Sequence, residues 1–197
     1  MKRLLLFFLL IVVFSLSALS QAESDQPAEI STPLVHEVMV QGGLSFPYLP
    51  SVLRDTLKSG WCGGVGYSIS FPPGDMGYSS LLIVLDYNNF KAKGDVAAKS
   101  FTAMVNFKGT FSPTRKSIAP YFSFGVGYMF YSSDTIEIDK KPAGGDKHTI
   151  GWNLALGVEL PITDQFVAYV QGQSVIGFLE KSRQYFPVNV GIRFRVL

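Results

Sequence analysis

Hydrophobic and polar positions alternate along most of this chain beyond residue 33, and the alternating segments are separated by breaks rich in Pro, Gly, Asp and Ser. A period of two places successive side chains on opposite faces of a β-strand. Eight such segments are predicted, at 35–48, 61–71, 78–90, 100–111, 120–131, 148–161, 166–180 and 185–197. The chain is therefore predicted to be all-β, with eight strands.

The connections between the predicted strands differ in length. Those after strands 2, 4 and 6 are short or moderate. The connections 49–60, 91–99 and 132–147 are longer and carry charges, but the one after strand 7, around KSRQ, is short. Short turns at one end and longer loops at the other are typical of outer-membrane barrels. We therefore predict an eight-stranded antiparallel up-and-down transmembrane β-barrel, with both termini at the short-turn end and loops 49–60, 91–99 and 132–147 outside the cell.

The two faces of the strands have different compositions. One face repeats large apolar residues, as in Phe122, Phe124 and Val126, and the other repeats Gly, Ser, Ala and polar residues. A soluble lipocalin-like barrel would turn the apolar face inward, whereas a membrane barrel turns it outward. The small face suits a narrow interior, and the strands carry few of the Lys and Glu residues expected on a soluble exterior. These features favour the membrane barrel.

The first residues, MKRLLLFFLLIVVFSLSALSQA, combine a basic start, an apolar stretch and a small-residue cleavage site. We expect residues 1–22 to be a cleaved signal peptide, 23–33 to be a flexible periplasmic leader and 34–197 to be the barrel domain. An uncleaved anchor is the alternative, but the apolar stretch is short for a membrane span. Removal of Lys2 and Arg3 leaves 15 basic and 15 acidic residues, which gives no basic surface for nucleic acid.

Six charged residues fall on the face predicted to line the barrel interior: Glu37, Asp86, Lys108, Glu159, Arg193 and Arg195. Buried charges are tolerated when they are paired. We expect a structural charge network in which Arg193 and Arg195 pair with Glu37 and also with Glu159. A polar pore is the alternative, but eight strands leave room only for side chains, which favours a plugged polar core.

Five stretches carry a resemblance to a known family: GGLSFPYLP, SGWCGGVGYSIS, PYFSFGVGYMF, GWNLALGVELPI and VNVGIRFRVL. Over residues 34–197 the chain resembles the bacterial outer-membrane β-barrel domain family, the small eight-stranded OmpA/OmpX-like barrels. The family's last strand usually ends on an aromatic residue, where this chain has Leu197. The resemblance implies an outer-membrane location in a Gram-negative cell envelope, a porin-like fold and no shared catalytic site.

No catalytic, metal or cofactor site is predicted. In a lipid A deacylase-like barrel a His-x-Ser pair would be expected, but His148 is followed by Thr149 and Ile150. His36 is interpreted as an interfacial residue, DTIEID in the 132–147 loop matches no calcium loop, and Cys62, the single cysteine, is expected to face the interior. A further set of aromatic residues near strand ends is typical of an interfacial girdle: Tyr48, Trp61, Tyr87, Phe130, Trp152 and Phe178.

The function expected from these features is a structural or surface-interaction role through the extracellular loops. The alternatives are an envelope or lipid-modifying enzyme and a secreted lipocalin-like carrier of a lipophilic ligand. Expected partners are outer-membrane lipid and lipopolysaccharide, the barrel assembly machinery during biogenesis, and a surface ligand at the loops. The barrel is expected to be a monomer without a cofactor.

Overall fold

The computed structural model describes residues 34–49, 57–74, 77–91, 97–112, 116–138, 141–178 and 183–196. The predicted signal peptide at 1–22 and leader at 23–33 lie outside the described residues. Among the residues that are described, no helix is long and apolar enough to cross a membrane.

Eight strands form the fold: β1 Val35–Leu49, β2 Gly60–Ser70, β3 Tyr78–Phe90, β4 Ala98–Thr110, β5 Ala119–Ile138, β6 Lys141–Pro161, β7 Phe166–Gly177 and β8 Arg183–Val196. Each strand pairs antiparallel with the next along the chain, and β8 pairs with β1. The sheet is thus closed around the barrel wall, where each strand has a neighbour on both sides. The predicted eight-stranded antiparallel up-and-down barrel is confirmed.

The largest difference from the predicted strands lies between β5 and β6. Residues 132–147 were predicted to be a loop, but β5 continues to Ile138 and β6 begins at Lys141, and the two pair throughout except at a register shift between Ser133 and Ile136. The loop prediction was wrong because backbone pairing does not require apolar side chains, and Thr and Ile in this stretch favour strands. In the two other predicted loops, residues 50–56 and 92–96 lie outside the described residues.

The two ends of the barrel are distinct. We call the end where β1 begins and β8 ends the terminal end. Residues 134–138 of β5 and 141–144 of β6 form the β5–β6 extension, and we call the end from which it projects the hairpin end. At the terminal end, β6 and β7 are joined by the short turn 162–165, in which the Thr163 hydroxyl accepts hydrogen bonds from the backbone N–H groups of Gln165 and Phe166.

Apolar side chains face outward around the barrel. Ile150 is 69% exposed and Leu156 is 66% exposed. Every strand has other large apolar residues at alternate positions that are also exposed, most of them to a smaller extent. The residues between them are buried and small or polar, such as Ser45, Ser68 and Ser100. This is the predicted membrane-type arrangement of faces. The lipocalin-like alternative requires the opposite arrangement.

The interior is less polar than predicted. One apolar cluster near the hairpin end combines Leu57, Phe90, Ala98, Met104, Met129, Tyr131, Val175 and Tyr185. A second cluster nearer the terminal end combines Met39, Leu82, Val84, Tyr121 and Tyr169. Leu57 comes from the segment between β1 and β2 and is buried. The core is therefore plugged by apolar and aromatic side chains as well as by polar ones.

Candidate functional site

Four of the six predicted interior charges meet near the terminal end of the barrel. The Arg193 guanidinium forms ion pairs with Glu159 and, at 3.7 Å, with Glu37, and the Lys108 ammonium forms an ion pair with Glu159. Arg193, Glu159 and Lys108 are 3%, 2% and 1% exposed. We call Glu37, Lys108, Glu159 and Arg193 the charge cluster.

Strand geometry explains why these residues meet. Glu37 is the third residue of β1, Arg193 is the fourth from the end of β8, and Lys108 and Glu159 are each the third from the end of β4 and β6. All four positions are therefore close to the terminal end, because odd strands start there and even strands finish there. Alternation turns all four side chains inward. The cluster links four strands that are distant along the chain.

Three tyrosines surround the charge cluster, and the sequence analysis did not identify them. The Tyr78 hydroxyl donates a hydrogen bond to Glu159 Oε2 at 2.5 Å. The Lys108 Nζ lies 5.1 Å from the Tyr121 ring centroid, and the Arg193 Cζ lies 4.9 Å from that of Tyr169. Cations over aromatic faces are attracted by the ring quadrupole, most strongly where water is excluded. Alternation would have placed Tyr121 and Tyr169 inside, since each lies two residues before an interior position.

Glycines on neighbouring strands make room for two of these rings. Tyr121 pairs with Gly157, and Tyr169 pairs with Gly191. A Cβ on Gly157 would lie 2.5 Å from Tyr121 Cζ, and one on Gly191 would lie 2.4 Å from Tyr169 Cζ. Each ring therefore lies over the backbone of a cross-strand glycine, the arrangement in which an aromatic residue covers an otherwise exposed glycine.

Asp86 lies in a separate network of amides. Gln41 Nε2 donates to Asp86 Oδ1 at 2.5 Å, and Gln41 Oε1 accepts from the Tyr169 hydroxyl at 3.0 Å and from Gln171 Nε2 at 3.1 Å. The Tyr121 hydroxyl in turn donates to Gln171 Oε1 at 2.9 Å. The two tyrosines thus contact the cations of the charge cluster with their rings and this amide network with their hydroxyls.

Arg195 is the sixth predicted charge. It lies directly opposite Glu37 in the pairing of β1 with β8 and is half-buried. Among the described residues its Nε has no hydrogen-bond partner. The ion pairs described for Glu37 and Glu159 come from Arg193 and Lys108.

The charge cluster joins side chains of β1, β4, β6 and β8. It contains two carboxylates and two cations, so its net charge is zero when all four are ionised. Such buried pairs are held by mutual attraction and hydrogen bonds that offset the loss of water. Within the described part of the chain, no three His, Cys, Asp or Glu side chains lie close enough to hold a metal ion.

The histidines and the cysteine make their described contacts with residues outside the charge cluster. His148 is exposed, hydrogen-bonded to the Tyr128 hydroxyl, with its ring 5.0 Å from that of Phe130. His36 Nδ1 lies 2.5 Å from the Tyr67 hydroxyl. Cys62 is buried and donates to Asn189 Oδ1 at 3.0 Å. Neither histidine is paired with a serine hydroxyl in these contacts.

Comparison with known proteins is informative only at the level of the fold. No family description and no curated protein matches the chain. Among solved structures, Neisserial surface protein A is 13% identical, with a TM-score of 0.55 over 85% of this chain and 100% of that one. This chain has the fold of the small outer-membrane β-barrels. The β domain of the Bordetella autotransporter BrkA (10% identity, TM-score 0.51, 84% and 100% coverage) and the outer-membrane enzyme PagL (14%, 0.50, 81% and 99%) are also similar.

Proposed function

We propose that this protein is an integral outer-membrane barrel with a plugged interior and a structural or surface-interaction role. The single observation that carries the proposal is the arrangement of its two faces. Large apolar side chains cover the outside, while paired charges such as Glu159 and Arg193 are buried inside. Water would disfavour this exterior, whereas lipid favours it, and closure gives each strand a neighbour on both sides within the barrel wall.

The hairpin end is the part of the barrel best placed for surface interaction. The β5–β6 extension projects there as a paired ribbon, and the segments 49–60 and 91–99 connect strands at the same end. A barrel with its termini in the periplasm presents this end to the outside of the cell. The extension offers backbone groups of β5 and β6 to a partner beyond the membrane surface.

The interior supports a role other than passage of solutes. The charge cluster, the amide network of Gln41 and Asp86, and the two apolar clusters occupy the barrel from one end towards the other. Eight strands enclose only enough space for side chains. We infer that the protein stabilises the envelope or displays its loops as a monomer.

We also infer a non-catalytic role, although PagL shows that a barrel of this fold can be an enzyme. A serine or carboxylate beside His148 would favour an enzyme, but the histidine is bonded to Tyr128 and packed on Phe130. Those partners supply neither the serine hydroxyl of a His-Ser pair nor a carboxylate that orients a base.

Biogenesis follows from the same proposal. Residues 1–22 act as the cleaved export signal, 23–33 form a periplasmic leader, and 34–197 are inserted by the barrel assembly machinery into a membrane that contains lipopolysaccharide. Detection of a mature N-terminus at Glu23 by mass spectrometry would support this maturation, whereas retention of Lys2 in the membrane-bound protein would contradict it.

Heat modifiability tests the proposed location and state. Membranes from a Gram-negative host that expresses the full chain are fractionated, and the extracted protein is run on a detergent gel with and without boiling. We expect an outer-membrane band whose mobility changes on boiling, because the closed barrel resists detergent until heated. A soluble protein with one mobility would overturn the proposal.

A further inference from the structure

Exposed lysines lie on the outer surface of the barrel at the hairpin end of β3 and β4. Lys99 is exposed and alternates with buried Ala98 and Ser100, so its side chain shares the outer face with Phe101. Lys91 is also exposed and directly follows Phe90, whose side chain is buried in the interior. Both ammonium groups therefore extend away from the interior.

A third lysine, Lys58, is linked to Lys91 by a backbone hydrogen bond. The Lys58 N–H donates to the Lys91 carbonyl oxygen at 2.7 Å, and the Lys58 side chain is exposed. Lys91 lies two residues beyond Asn89, which is the pairing partner of Lys99. We call Lys58, Lys91 and Lys99 the lysine patch.

Aromatic residues adjoin the lysine patch on the same outer face. Trp61, Asn89 and Lys99 are successive partners across β2, β3 and β4. The Trp61 and Tyr87 ring centroids are 5.3 Å apart, and Tyr87 pairs with Phe101. Trp and Tyr concentrate where the hydrocarbon of a bilayer meets its headgroups. These neighbours place the lysine patch at the depth of lipid headgroups.

The segments of sequence that carry the lysine patch are net basic. The segments 50–60 and 91–99 together contain five basic and two acidic residues. An acidic residue, Asp146 of β6, lies two strands away from Lys99 of β4. Ser132 of β5 lies between them and pairs with both. Two strand spacings are about 10 Å, a distance at which salt screens exposed charges strongly.

We propose that the lysine patch binds the phosphate groups of a phosphorylated lipid headgroup in the surrounding leaflet. The inference rests on the proposed membrane location and deepens it by naming the lipid chemistry. Lysine binds phosphate as a point charge, and three ammonium groups suit a headgroup with more than one phosphate. A lipid is favoured over a free anion because the same surface continues into Trp61 and Tyr87, residue types that prefer the boundary between acyl chains and headgroups.

The test uses the full chain refolded in nanodiscs of phosphatidylcholine with a minor fraction of bisphosphorylated lipid A. Native mass spectrometry gives the ratio of lipid A to phosphatidylcholine that stays bound. We expect enrichment of lipid A, and a decrease of roughly 10- to 30-fold in K91Q/K99Q, since each lysine near an anionic surface contributes a factor of about five. The control R115Q/K116Q loses the same charge between β4 and β5 and should retain the enrichment.

The change of gel mobility on boiling (the gel shift) is recorded on the same samples, so that failure of the barrel and failure of the lipid site can be distinguished. No shift in the wild-type protein would overturn the proposed membrane barrel itself. A normal shift without lipid A enrichment, or an equal loss in both double variants, would overturn the lysine patch as a lipid site while the barrel stands. Displacement of lipid A by millimolar inorganic phosphate, with phosphate bound equally in lipid A-free discs, would show a free-anion site and contradict the proposal.

Discussion

Glu159 is the residue on which the charge cluster depends. It receives the ion pairs of Lys108 and Arg193 and the hydrogen bond of Tyr78. Glu37 is the second carboxylate, 3.7 Å from Arg193. Loss of the Glu159 charge would leave two buried cations with one anion between them, and an uncompensated buried charge costs far more than an exposed one.

The substitution E159Q should therefore lower the free energy of unfolding by about 3–5 kcal/mol. The measurement is urea unfolding of the refolded protein in lipid vesicles, followed by tryptophan fluorescence. The control is D164N, which also replaces a carboxylate by an amide but lies in the exposed turn between β6 and β7. It should change the free energy of unfolding by less than about 0.5 kcal/mol. The double variant K108M/E159Q should recover part of the loss, because it removes one unpaired cation. Equal stability of E159Q and D164N would contradict a structural role for the charge cluster.

Gly157 should tolerate no larger residue while Tyr121 remains. A Cβ would lie 2.5 Å from the Tyr121 ring, so G157A should cost about 1–3 kcal/mol through overpacking. G42A is the control, because the nearest atom to its Cβ is a carbonyl oxygen at 3.7 Å. The same unfolding assay applies, and adding Y121L to G157A should recover only part of the stability, because the new Cβ would still lie 2.6 Å from the Val170 carbonyl oxygen. A neutral G157A would show that the ring moves aside without cost.

At the scale of elements, the β5–β6 extension stands out. Residues 119–133 of β5 pair with 145–159 of β6 in one register, and a shift separates them from the outer pairs. The outer pairs begin at Ile136 and Ala143, beyond the point where neighbouring strands end. The barrel wall thus needs only the inner part of this ribbon.

Replacement of residues 134–144 by a two-residue Asn-Gly turn should leave the barrel intact. All eight strands keep their partners within the wall, and a short turn joins antiparallel strands readily. We expect the gel shift and the unfolding midpoint to stay within error of the full-length protein, with binding of any surface ligand reduced. A variant that no longer shows the gel shift would mean that the extension nucleates or supports the barrel.

The sequence was sufficient to predict the strand number, the closure and the facing of the apolar residues, because alternation reports directly on face. Alternation also placed Glu37, Lys108, Glu159 and Arg193 inside. Alternation could not predict that Asp86 is hydrogen-bonded to Gln41 and lies outside the charge cluster. Which interior residues lie at the same height in the barrel depends on the tilt and stagger of the strands. The interior tyrosines were missed because large side chains were assumed to be too bulky for the interior. The glycines opposite them create the space.

At the largest scale, the barrel domain is a closed wall around a filled interior. Phe90 and Met129 occupy the interior near the hairpin end, and Lys108 and Tyr169 occupy it near the terminal end. Reconstituted protein should therefore not admit small sugars. In a liposome swelling assay with arabinose we expect rates equal to those of empty vesicles, with a porin of known size as the positive control. Swelling above the empty-vesicle rate in samples that show the gel shift would contradict a plugged interior.

The pairing of β8 with β1 has a consequence for the chain's connectivity. This seam is antiparallel like the other seven, and both of its strands reach the same end as the turn between β6 and β7. In the finished wall no strand is structurally first or last. A gene rearranged to join residue 196 to residue 34 through a short turn, and reopened at 162–165, would encode the same ring of neighbours. The gene thus sets the order in which the strands are synthesised, but the set of neighbouring strands in the closed barrel does not depend on that order.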